Sequence, residues 1–321
     1  MWVIAEGGFY PFMTSKRLII AGGSGFIGRA LAKEFSTHGY EVIVLTRSPR
    51  KRTDNVQESE WNGRQPGPWI ALLDGADAII NLAGKAINCP HTPENLREIS
   101  ASRVDSVHAL AIAIGQVKQP PRVWVQASAV GYYGDTGDVL CDENSPAGND
   151  TLANVCRQWE TAFTGVNLPA TRKVTLRIGV VLGRDGGALP VLSKMTRWFL
   201  GGAAGSGRQY ISWVHLVDLT AMFLAAATDE KMSGTFNAVA PNAVTNAEFM
   251  RELRRALHRP WSPPAPEFAV KLGARLMGSE GSLALVSQRC VPKRFLINGF
   301  QFRFATVAAA LEELCQLDFR Q

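Results

Sequence analysis

The chain has 321 residues, of which 46% are hydrophobic and 19% charged, and a formal net charge of +6. This length fits one large domain with an appended piece, or two domains, in an ordinary globular protein. No apolar run reaches the ~20 residues that a membrane span needs, and the basic residues are spread out without aromatic interleaving or zinc-finger spacing, so we expect no membrane and no nucleic-acid partner.

The first fifteen residues are predicted to be a loose N-terminal extension. They combine glycine, aromatic residues and one acid, without a basic region or a cleavage site. A targeting peptide would carry both of these features. We therefore exclude residues 1–15 from the fold, with Met13 as an alternative initiator.

A glycine-rich turn follows the first predicted strand, which starts at Leu18. Gly22, Gly25 and Gly28 are spaced Gly-x-x-Gly-x-x-Gly, and a helical segment over 29–35 comes directly after them. Glycine permits a sharp turn and the close approach of a ligand, and the free N–H groups of a helix N-terminus favour negative charge. The arrangement predicts a pyrophosphate site for a dinucleotide, with a purely structural turn as the alternative.

The second predicted strand, 40–45, ends where dinucleotide-binding proteins recognise the adenosine ribose. Thr46, Arg47 and Ser48 follow it, and further basic residues extend to Arg52. An NAD-binding protein typically has Asp or Glu here, whereas a guanidinium suits the 2′-phosphate of NADP. We predict NADP(H) rather than NAD(H); the alternative is a solvated basic loop.

Apolar strands and helical segments continue to alternate over the first two-thirds of the chain. Strands are predicted at 77–84, 122–128 and 173–181, and helices at 94–117 and near 152–163. This alternation implies an α/β fold with a doubly wound parallel sheet. Because such sheets bind ligands beyond the carboxyl ends of their strands, Ser48, Gly84, Ser128 and Val181 should gather around one cleft.

The last third of the chain is less regular. It contains glycine-rich loops at 183–187 and 201–207, an amphipathic helix at 245–257 with capping-box spacing, and a proline-rich linker at 260–266. The tail, 268–319, has its own helices and an aromatic run, Phe300 to Phe304. If these aromatic side chains are exposed, the tail could serve as an interaction scaffold.

The five cysteines lie far apart, without a Cys-x-x-Cys pair or a secretory signal. We expect reduced thiols in a cytoplasmic protein, and no metal site.

Several segments together resemble an extended short-chain dehydrogenase/reductase of the sugar-nucleotide epimerase-like kind. They are Gly22–Gly28, Asn81–Gly84, Ser102–Arg103, Ser128–Gly134, Trp159–Glu160, Leu176–Gly183, Trp213–Leu219, Phe236–Pro241, Val291–Phe295 and Gly299–Phe302. The combination resembles an atypical subfamily, the "epimerase family proteins". The resemblance implies a Rossmann-type NADP-binding domain with substrate-side insertions over 16–262 and a small substrate-side C-terminal domain over 263–319.

The resemblance also implies cofactor contacts. The residues at these positions are Gly22, Gly25, Phe26, Ile27, Gly28, Thr46, Arg47, Leu82, Ala83, Gly84, Glu98, Arg103 and Val181. The first five would hold the pyrophosphate, the next two the 2′-phosphate, and the following three would lie along the adenosine ribose. Glu98 and Arg103 would approach from the side, unless they form a surface helix pair, and Val181 would offer its backbone to the nicotinamide carboxamide.

Enzymes of this kind use a Tyr and a Lys four residues apart on one helix, and a Ser or Thr at the preceding strand end. Ser128 fits the last role. Counting back from Trp159-Glu160, the Tyr position is Leu152 and the Lys position is Cys156. Leucine carries no proton and an uncharged thiol gives no electrostatic help, so the usual pair is missing.

Tyr132 and Tyr133 could replace the missing proton donor, although both could equally be structural. Cys156 could be a thiol acid, a redox group or a core residue, and we expect His215 and Asp218 to belong to the architecture. The catalytic candidates are therefore Ser128, Tyr132 and Tyr133.

The resemblance implies an NADP(H)-dependent oxidoreductase or epimerase-like protein with an unassigned small-molecule substrate. Kinship suggests a nucleotide sugar as substrate and a homodimer through two long helices. Loss of the Tyr–Lys pair favours the alternative, a non-catalytic NADP(H)-binding sensor or regulatory protein.

Overall fold

The computed structural model describes residues 16–276 and 278–316. The predicted extension 1–15 and the end of the predicted tail, up to 319, lie outside the described residues. The strands are β1 (Arg17–Ala21), β2 (Glu41–Thr46), β3 (Gln57–Glu60), β4 (Ala78–Asn81), β5 (Val123–Ala129), β6 (Leu140–Cys141), β7 (Arg172–Ile178), β8 (Val180–Gly183), β9 (Gly186–Gly187), β10 (Tyr210–Ile211), β11 (Trp213–His215), β12 (Gly234–Ala238), β13 (Val244–Thr245) and β14 (Arg289–Cys290). The α-helices are α1 (Phe26–Thr37), α2 (Pro93–Gln116), α3 (Thr151–Thr164), α4 (Leu189–Arg197), α5 (Leu216–Thr228), α6 (Asn246–Ala256), α7 (Glu267–Leu276), α8 (Lys293–Ile297) and α9 (Val307–Gln316).

The main sheet has seven strands in the order β12-β7-β5-β4-β1-β2-β3. Every neighbouring pair in it is parallel. The strand order runs outward from β1 in both directions, so the crevice beyond β1 and β4 is the topological switch point where such sheets bind ligands. The predicted doubly wound parallel sheet is confirmed.

The core of the main sheet is apolar on both faces, as a parallel sheet covered by helices requires. Leu18, Ile19 and Ile20 of β1 are fully buried, and Leu31 and Phe35 of α1 are fully buried in the same apolar core. Each such side chain contributes about 1.5–3 kcal/mol when it is removed from water. This packing fixes where the turn after β1 lies.

The prediction of a single strand over 173–181 is wrong. It divides into β7, which belongs to the main sheet, and β8, which pairs with β11 in a second sheet. The break is at Gly179, where a Cβ atom would lie 2.5 Å from the backbone oxygen of Ser212. Glycine lets the two backbones approach, and the chain changes sheets there.

Two strands of the main sheet were not predicted. The polar segment Gln57–Glu60 forms the edge strand β3 beside β2, and Gly234–Ala238 forms β12 beside β7. The first has no apolar residue at alternate positions, so its strand character comes from pairing rather than from its own pattern.

The C-terminal part packs against the main domain, and its aromatic run points inward. Phe300 and Phe302 pack on the main core, and Phe304 is only 8% exposed. His215 stacks on Phe304 with ring centroids 3.9 Å apart, while Asp218 accepts from the backbone N–H of Phe304. The expectation of an exposed aromatic run is therefore wrong.

Candidate functional site

The turn between β1 and α1 depends on three glycines that do different things. Gly22 has φ +75°, and a Cβ there would lie 2.9 Å from the Cα of Ala83. A Cβ on Gly28 would lie 2.4 Å from the Cα of Gly23. By contrast, the nearest atom to a Cβ on Gly25 would be the oxygen of Gly22, at 4.0 Å. Gly22 and Gly28 allow the chain to pack, and Gly25 leaves open space for a ligand.

The N-terminus of α1 opens onto that space. Gly25 is the N-cap, and no side chain caps the helix. Within the described residues, the backbone N–H groups of Phe26, Ile27 and Gly28 have no acceptor. Uncapped N–H groups and the helix dipole suit a phosphate. The residues present therefore fit the pyrophosphate of a dinucleotide.

At the end of β2, the side chain of Thr46 has a partner within the protein, whereas that of Arg47 has no carboxylate partner within the described ranges. Thr46 is buried, and its hydroxyl donates to Ser24 of the glycine turn at 3.3 Å. Arg47 is exposed, and no carboxylate pairs with it in the described part of the chain, whereas Arg52 is held by Asp54 and Glu58. Arg47 is thus the first cation after this strand whose guanidinium remains for a ligand.

One carboxylate at this edge was missed by the sequence reasoning. β3 places Glu60 opposite Thr46 in the parallel register. Because β3 is an exposed polar edge strand, its sequence carries no signal that would have brought Glu60 to this position. A test of cofactor choice must therefore include NAD(H).

The loop after β4 brings three predicted cofactor residues beside the glycine turn. The N–H of Leu82 donates to Ala21, and the N–H of Ala83 donates to the side chain of Asn81. Gly84 is exposed and faces Arg103 of α2. These contacts place the loop at the switch-point crevice.

Glu98 and Arg103 lie on α2 but have different environments. Glu98 is exposed and its carboxylate accepts from the ammonium of Lys85, which lowers the pKa of Glu98. Arg103 is directed inward and donates from Nη1 to the backbone oxygens of Lys85 and Ile99, at 2.9 and 3.0 Å. The two residues therefore do not form a pair with each other.

The Arg103 guanidinium is a partly buried charge without a carboxylate partner among the described residues. Its Cζ lies 5.0 Å from the ring centroid of Trp159, and a Cβ on Gly84 would lie 3.2 Å from it. Burial lowers its pKa. Even partial burial of a cation that is not neutralised is costly, so this guanidinium fits a site that an anionic or strongly polar ligand completes.

The β8–β9 hairpin closes the other side of the crevice. A Cβ on Gly183 or on Gly186 would lie within 2.6 Å of the Phe26 ring, so the hairpin packs closely on the first residue of α1. Val181 is half-buried in β8, and a Cβ on Gly187 would lie 2.7 Å from its carbonyl oxygen. The packing therefore brings Val181 and the glycine turn to the same crevice.

Ser128 belongs to a buried network rather than to an open surface. Its hydroxyl donates to Glu160 Oε1 at 2.6 Å, and Arg177 donates to both carboxylate oxygens of Glu160, at 2.9 and 2.8 Å. Burial works against the charge of Arg177, but the hydrogen bonds and the charge of Glu160 outweigh it and raise the pKa of Arg177. The next residue, Ala129, is partly exposed on the alternate face of the strand.

The two candidate tyrosines lie in a 3₁₀ turn, Val130–Tyr133, directly after β5. Tyr133 is buried; its hydroxyl donates to Asn237 at 2.7 Å and accepts from Arg177 at 2.9 Å, and burial raises its pKa. Tyr132 is half-buried under the Arg177 guanidinium, 3.4 Å from its ring centroid, and its hydroxyl has no partner among the described residues. Of the two, Tyr132 has the hydroxyl that is free to meet a substrate.

Helix α3 carries Leu152 and Cys156 at the positions counted for the Tyr–Lys pair. Leu152 is half-buried in the first turn, and the Cys156 side chain is buried. A Cβ on Gly131 would lie 3.7 Å from Cys156 Sγ. Burial raises the pKa of Cys156 to about 12, although the charge of Arg103 acts in the opposite direction. The thiol is therefore uncharged near neutral pH.

Three polar residues of this network were not predicted as a unit. Glu160, Arg177 and Asn237 lie far apart in the sequence, and each sits inside a segment that reads as an apolar helix or strand. Glu160 and Arg177 did carry a signal in the sequence: a charged residue inside an apolar helix or strand is expected to be buried with a partner, because charges are seldom buried alone. Within the described residues, no group of acidic, His and Cys side chains could hold a metal ion.

Comparison with known proteins identifies the family. A model of the "NAD dependent epimerase/dehydratase family" matches residues 18–238. The chain belongs to this family. A domain of unknown function, DUF1731, matches residues 265–314, and the predicted resemblance to epimerase family proteins with a small C-terminal domain is confirmed.

Individual relatives cover nearly the whole chain. It is 37% identical over 302 residues to an epimerase family protein SDR39U1 homologue, chloroplastic, from Arabidopsis thaliana, covering 92% of this chain and 86% of that protein. A crystal structure of human epimerase family protein SDR39U1 (isoform 2) with NADPH has TM-score 0.84 and 34% identity, covering 94% and 99%. A nucleoside-diphosphate sugar epimerase from Corynebacterium glutamicum has TM-score 0.73 and 34% identity, covering 96% and 60%.

Membership of this family shows that the chain is an epimerase-family protein that binds a nicotinamide dinucleotide. The described part of the chain has no helix both long enough and apolar enough to cross a bilayer.

Proposed function

We propose that this chain binds NADP(H) and acts as an NADP(H)-dependent oxidoreductase or epimerase on a small-molecule substrate. The observation that carries the proposal is the open space at Gly25, which lies beside the uncapped N-terminus of α1. An exposed, unpaired Arg47 follows the neighbouring strand β2. Together they suit a pyrophosphate and a 2′-phosphate.

The human relative supports the phosphorylated cofactor, since its crystal structure is with NADPH and it is 34% identical to this chain. Gly22, Phe26, Ile27 and Gly28 would hold the pyrophosphate, and Thr46 and Arg47 would hold the 2′-phosphate. Leu82, Ala83 and Gly84 would lie along the adenosine ribose, and Val181 would contact the nicotinamide carboxamide.

Arg103 would supply the positive charge that lysine supplies in other members of the family. It comes from α2 rather than α3, but its guanidinium faces Trp159, three residues after Cys156, and its charge acts on the Cys156 thiol. Three of its N–H donors are directed to neither Lys85 nor Ile99, so they remain available to a ribose hydroxyl or a substrate oxygen.

When bound, NADP(H) would supply reversible hydride transfer at a carbon that carries an oxygen. In this proposal Tyr132 holds the exchanging proton at its free hydroxyl. Ser128 can donate to a substrate oxygen only by giving up its bond to Glu160. Tyr133 would need to leave Asn237 in the same way. The name of the Corynebacterium relative supports a nucleotide sugar as the substrate class.

A second candidate function is a non-catalytic NADP(H) sensor. The observation that favours it is that Leu152 and Cys156 stand where the Tyr–Lys pair is expected, while the hydroxyls of Ser128 and Tyr133 are engaged inside the protein. Such a protein would use the same cofactor site without turnover.

Cofactor binding is tested by titrating the folded chain with NADPH and NADH. Replacing Arg47 by Ala should weaken NADPH binding about ten-fold or more, because a charge-assisted contact is lost, and should leave NADH binding unchanged. Arg50→Ala, an exposed basic neighbour, is the matched control. Equal affinity for both cofactors in the parent chain would contradict the choice of NADP(H).

Turnover is tested by following oxidation of NADPH with a panel of carbonyl compounds and nucleotide sugars. Tyr132→Phe should abolish turnover and retain NADPH binding, and Arg103→Met should weaken both. Tight NADPH binding without turnover on the whole panel would favour the sensor.

The homodimer and the cytoplasmic location stay predictions. Helix α2 is expected at the dimer interface. Among its described residues, Ile112 is the one large apolar side chain that is exposed. The Arabidopsis relative is named as chloroplastic.

A further inference from the structure

Exposed apolar side chains concentrate in two stretches of the chain. Of the sixteen large apolar residues exposed among the described residues, eight fall within 191–200 and 261–276. Trp198, Trp261, Phe268 and Leu276 are 73%, 74%, 73% and 81% exposed. A concentration of this kind usually marks an interaction site.

The two stretches lie side by side. Ala204 and Ala265 form a parallel bridge, and a Cβ on Gly202 would touch the carbonyl oxygen of Pro263. The Arg259 guanidinium, just before the second stretch, also lies over the Phe199 ring of the first, with its Cζ 5.5 Å from the ring centroid. A Cβ on Gly205 would lie 3.1 Å from Glu267, the first residue of α7, so the helix begins at the same place.

Helix α7 turns its apolar stripe outward. Phe268, Leu272 and Leu276 recur every four residues, which places them on one face, and the helix has no buried residue. A surface helix normally buries such a stripe against the core. We call the exposed set the apolar patch; it consists of Trp198, Leu200, Trp261, Phe268, Leu272 and Leu276.

Charge indicates the kind of partner. The segments 190–208 and 258–276, which carry the patch, contain six Lys or Arg residues and a single acidic residue, Glu267. A second copy of this chain would bring the same positive charge and would be repelled. A surface of anionic lipid offers negative headgroups to the basic residues and an apolar layer to the aromatic and leucine side chains.

We propose that the apolar patch docks on the surface of an anionic lipid bilayer. The chain would lie on the membrane and would not span it, with the indoles of Trp198 and Trp261 at headgroup level. This revises the expectation of no membrane partner, which considered only spanning segments. The proposal does not depend on whether the chain turns over a substrate.

The test is flotation of the full chain with vesicles of phosphatidylcholine alone and with vesicles that also contain phosphatidylglycerol. Binding should require phosphatidylglycerol, weaken as salt is raised, and shift tryptophan emission to shorter wavelength. Phe268→Ser with Leu272→Ser should weaken binding about ten-fold or more. Lys271→Gln and Arg275→Gln should each weaken it about five-fold.

The matched controls are Leu296→Ser with Ile297→Ser, an exposed apolar pair on α8, and Arg122→Gln, an exposed cation on the main domain. Circular dichroism establishes that each variant is folded. The proposal is wrong if the parent chain fails to float with phosphatidylglycerol vesicles at low salt, or if the controls weaken binding as much as the patch variants.

The same variants distinguish the lipid surface from two other occupants of the patch, a second copy of this chain and a soluble acidic partner. If light scattering without lipid shows a dimer that Phe268→Ser with Leu272→Ser converts to a monomer, the patch is an interface between copies and the proposal fails. It also fails if a soluble acidic polymer displaces the chain from vesicles and the apolar variants have no effect.

Discussion

The turn after β1 and the junction between β5 and α3 lie at the same edge of the main sheet, but their polar groups are used differently. At the turn, the N–H groups of Phe26, Ile27 and Gly28 have no acceptor among the described residues, and open space lies beside them at Gly25. At the junction, the hydroxyl of Ser128 is bonded to Glu160, inside the protein. The first region is prepared for a ligand by its backbone, and the second is held together by its side chains.

The difference suggests why cofactor binding and catalysis can separate in one fold. A pyrophosphate site made of glycine and helix N–H groups needs little from side chains, so it persists when side chains change. Acid–base chemistry needs a specific proton donor with a suitable pKa, and neither the leucine side chain of Leu152 nor the uncharged thiol of Cys156 supplies one. The junction can then stay folded without being catalytic.

The largest effect should come from breaking the junction. Glu160→Ala would leave the Arg177 guanidinium buried without a counter-charge, since both Glu160 oxygens bind it. Removal of one partner of a buried pair costs about 3–5 kcal/mol. The free energy of unfolding in urea should fall by that amount.

Asp105→Ala, which removes the exposed pair of Asp105 with Arg64, is the control and should change stability little. If Glu160→Ala keeps its stability but loses turnover, the contrast between the turn and the junction is contradicted, because the network would then serve chemistry rather than folding.

The second prediction separates the packing and binding glycines of the turn. Gly28→Ala places a methyl group 2.4 Å from the Cα of Gly23 and should cost about 1–3 kcal/mol of stability. Gly25→Ala meets open space at φ −76°, so stability should stay within about 0.5 kcal/mol of the parent. Thermal unfolding measures both.

NADPH titration completes the pair. Gly25→Ala should lose most of its NADPH affinity while folded, because its methyl group occupies the approach of the pyrophosphate. Retained affinity in a folded Gly25→Ala would show that the open space is not where the cofactor binds, and the contrast between the two regions would disappear.

The sequence predicts the turn well because everything in it is local. Strand, glycines and helix follow one another within 18–37, and each residue type restricts the backbone by itself. The sheet order follows from alternation and from the handedness of crossovers. The strand break at Gly179 was missed, since it depends on the distant Ser212.

The junction could not be predicted in the same way. The bond from Ser128 to Glu160 spans 32 residues and that from Arg177 to Tyr133 spans 44. Ser128 and Tyr133 carry the residue types of a catalytic site, and only the three-dimensional packing reveals that their hydroxyls have partners. The residue types predicted which side chains are candidates, and burial determined whether their hydroxyls are free to meet a substrate.

The third prediction concerns the thiol at the lysine position. Burial raises the pKa of Cys156 to about 12, and alkylation requires the thiolate. In the native protein at pH 8, iodoacetamide should therefore label the half-exposed Cys89 well before Cys156, as measured by mass spectrometry of the peptides. Cys156 should react only after unfolding. Native labelling of Cys156 at the rate of Cys89 would indicate an accessible, activated thiol and so a reactive junction.

The smallest effect should be a pH dependence that belongs to neither region. Burial lowers the pKa of His215 below 6.5, against the opposing charge of Glu313. Its Nδ1 accepts from the N–H of Val217, which requires the unprotonated nitrogen. The unfolded chain therefore binds more protons as the pH falls through 6.5, so the stability from this group is complete above that pH and is lost below it.

Urea unfolding at pH 7.5 and at pH 5.5 measures this loss. His215→Asn keeps a side-chain acceptor for the helix N-terminus and should flatten the pH dependence, because asparagine does not titrate in this range. The carboxylates with lowered pKa, such as Glu248 and Asp142, start below 4.5 and so contribute at lower pH. If His215→Asn keeps the full slope between pH 7.5 and 5.5, then the titrating group lies elsewhere.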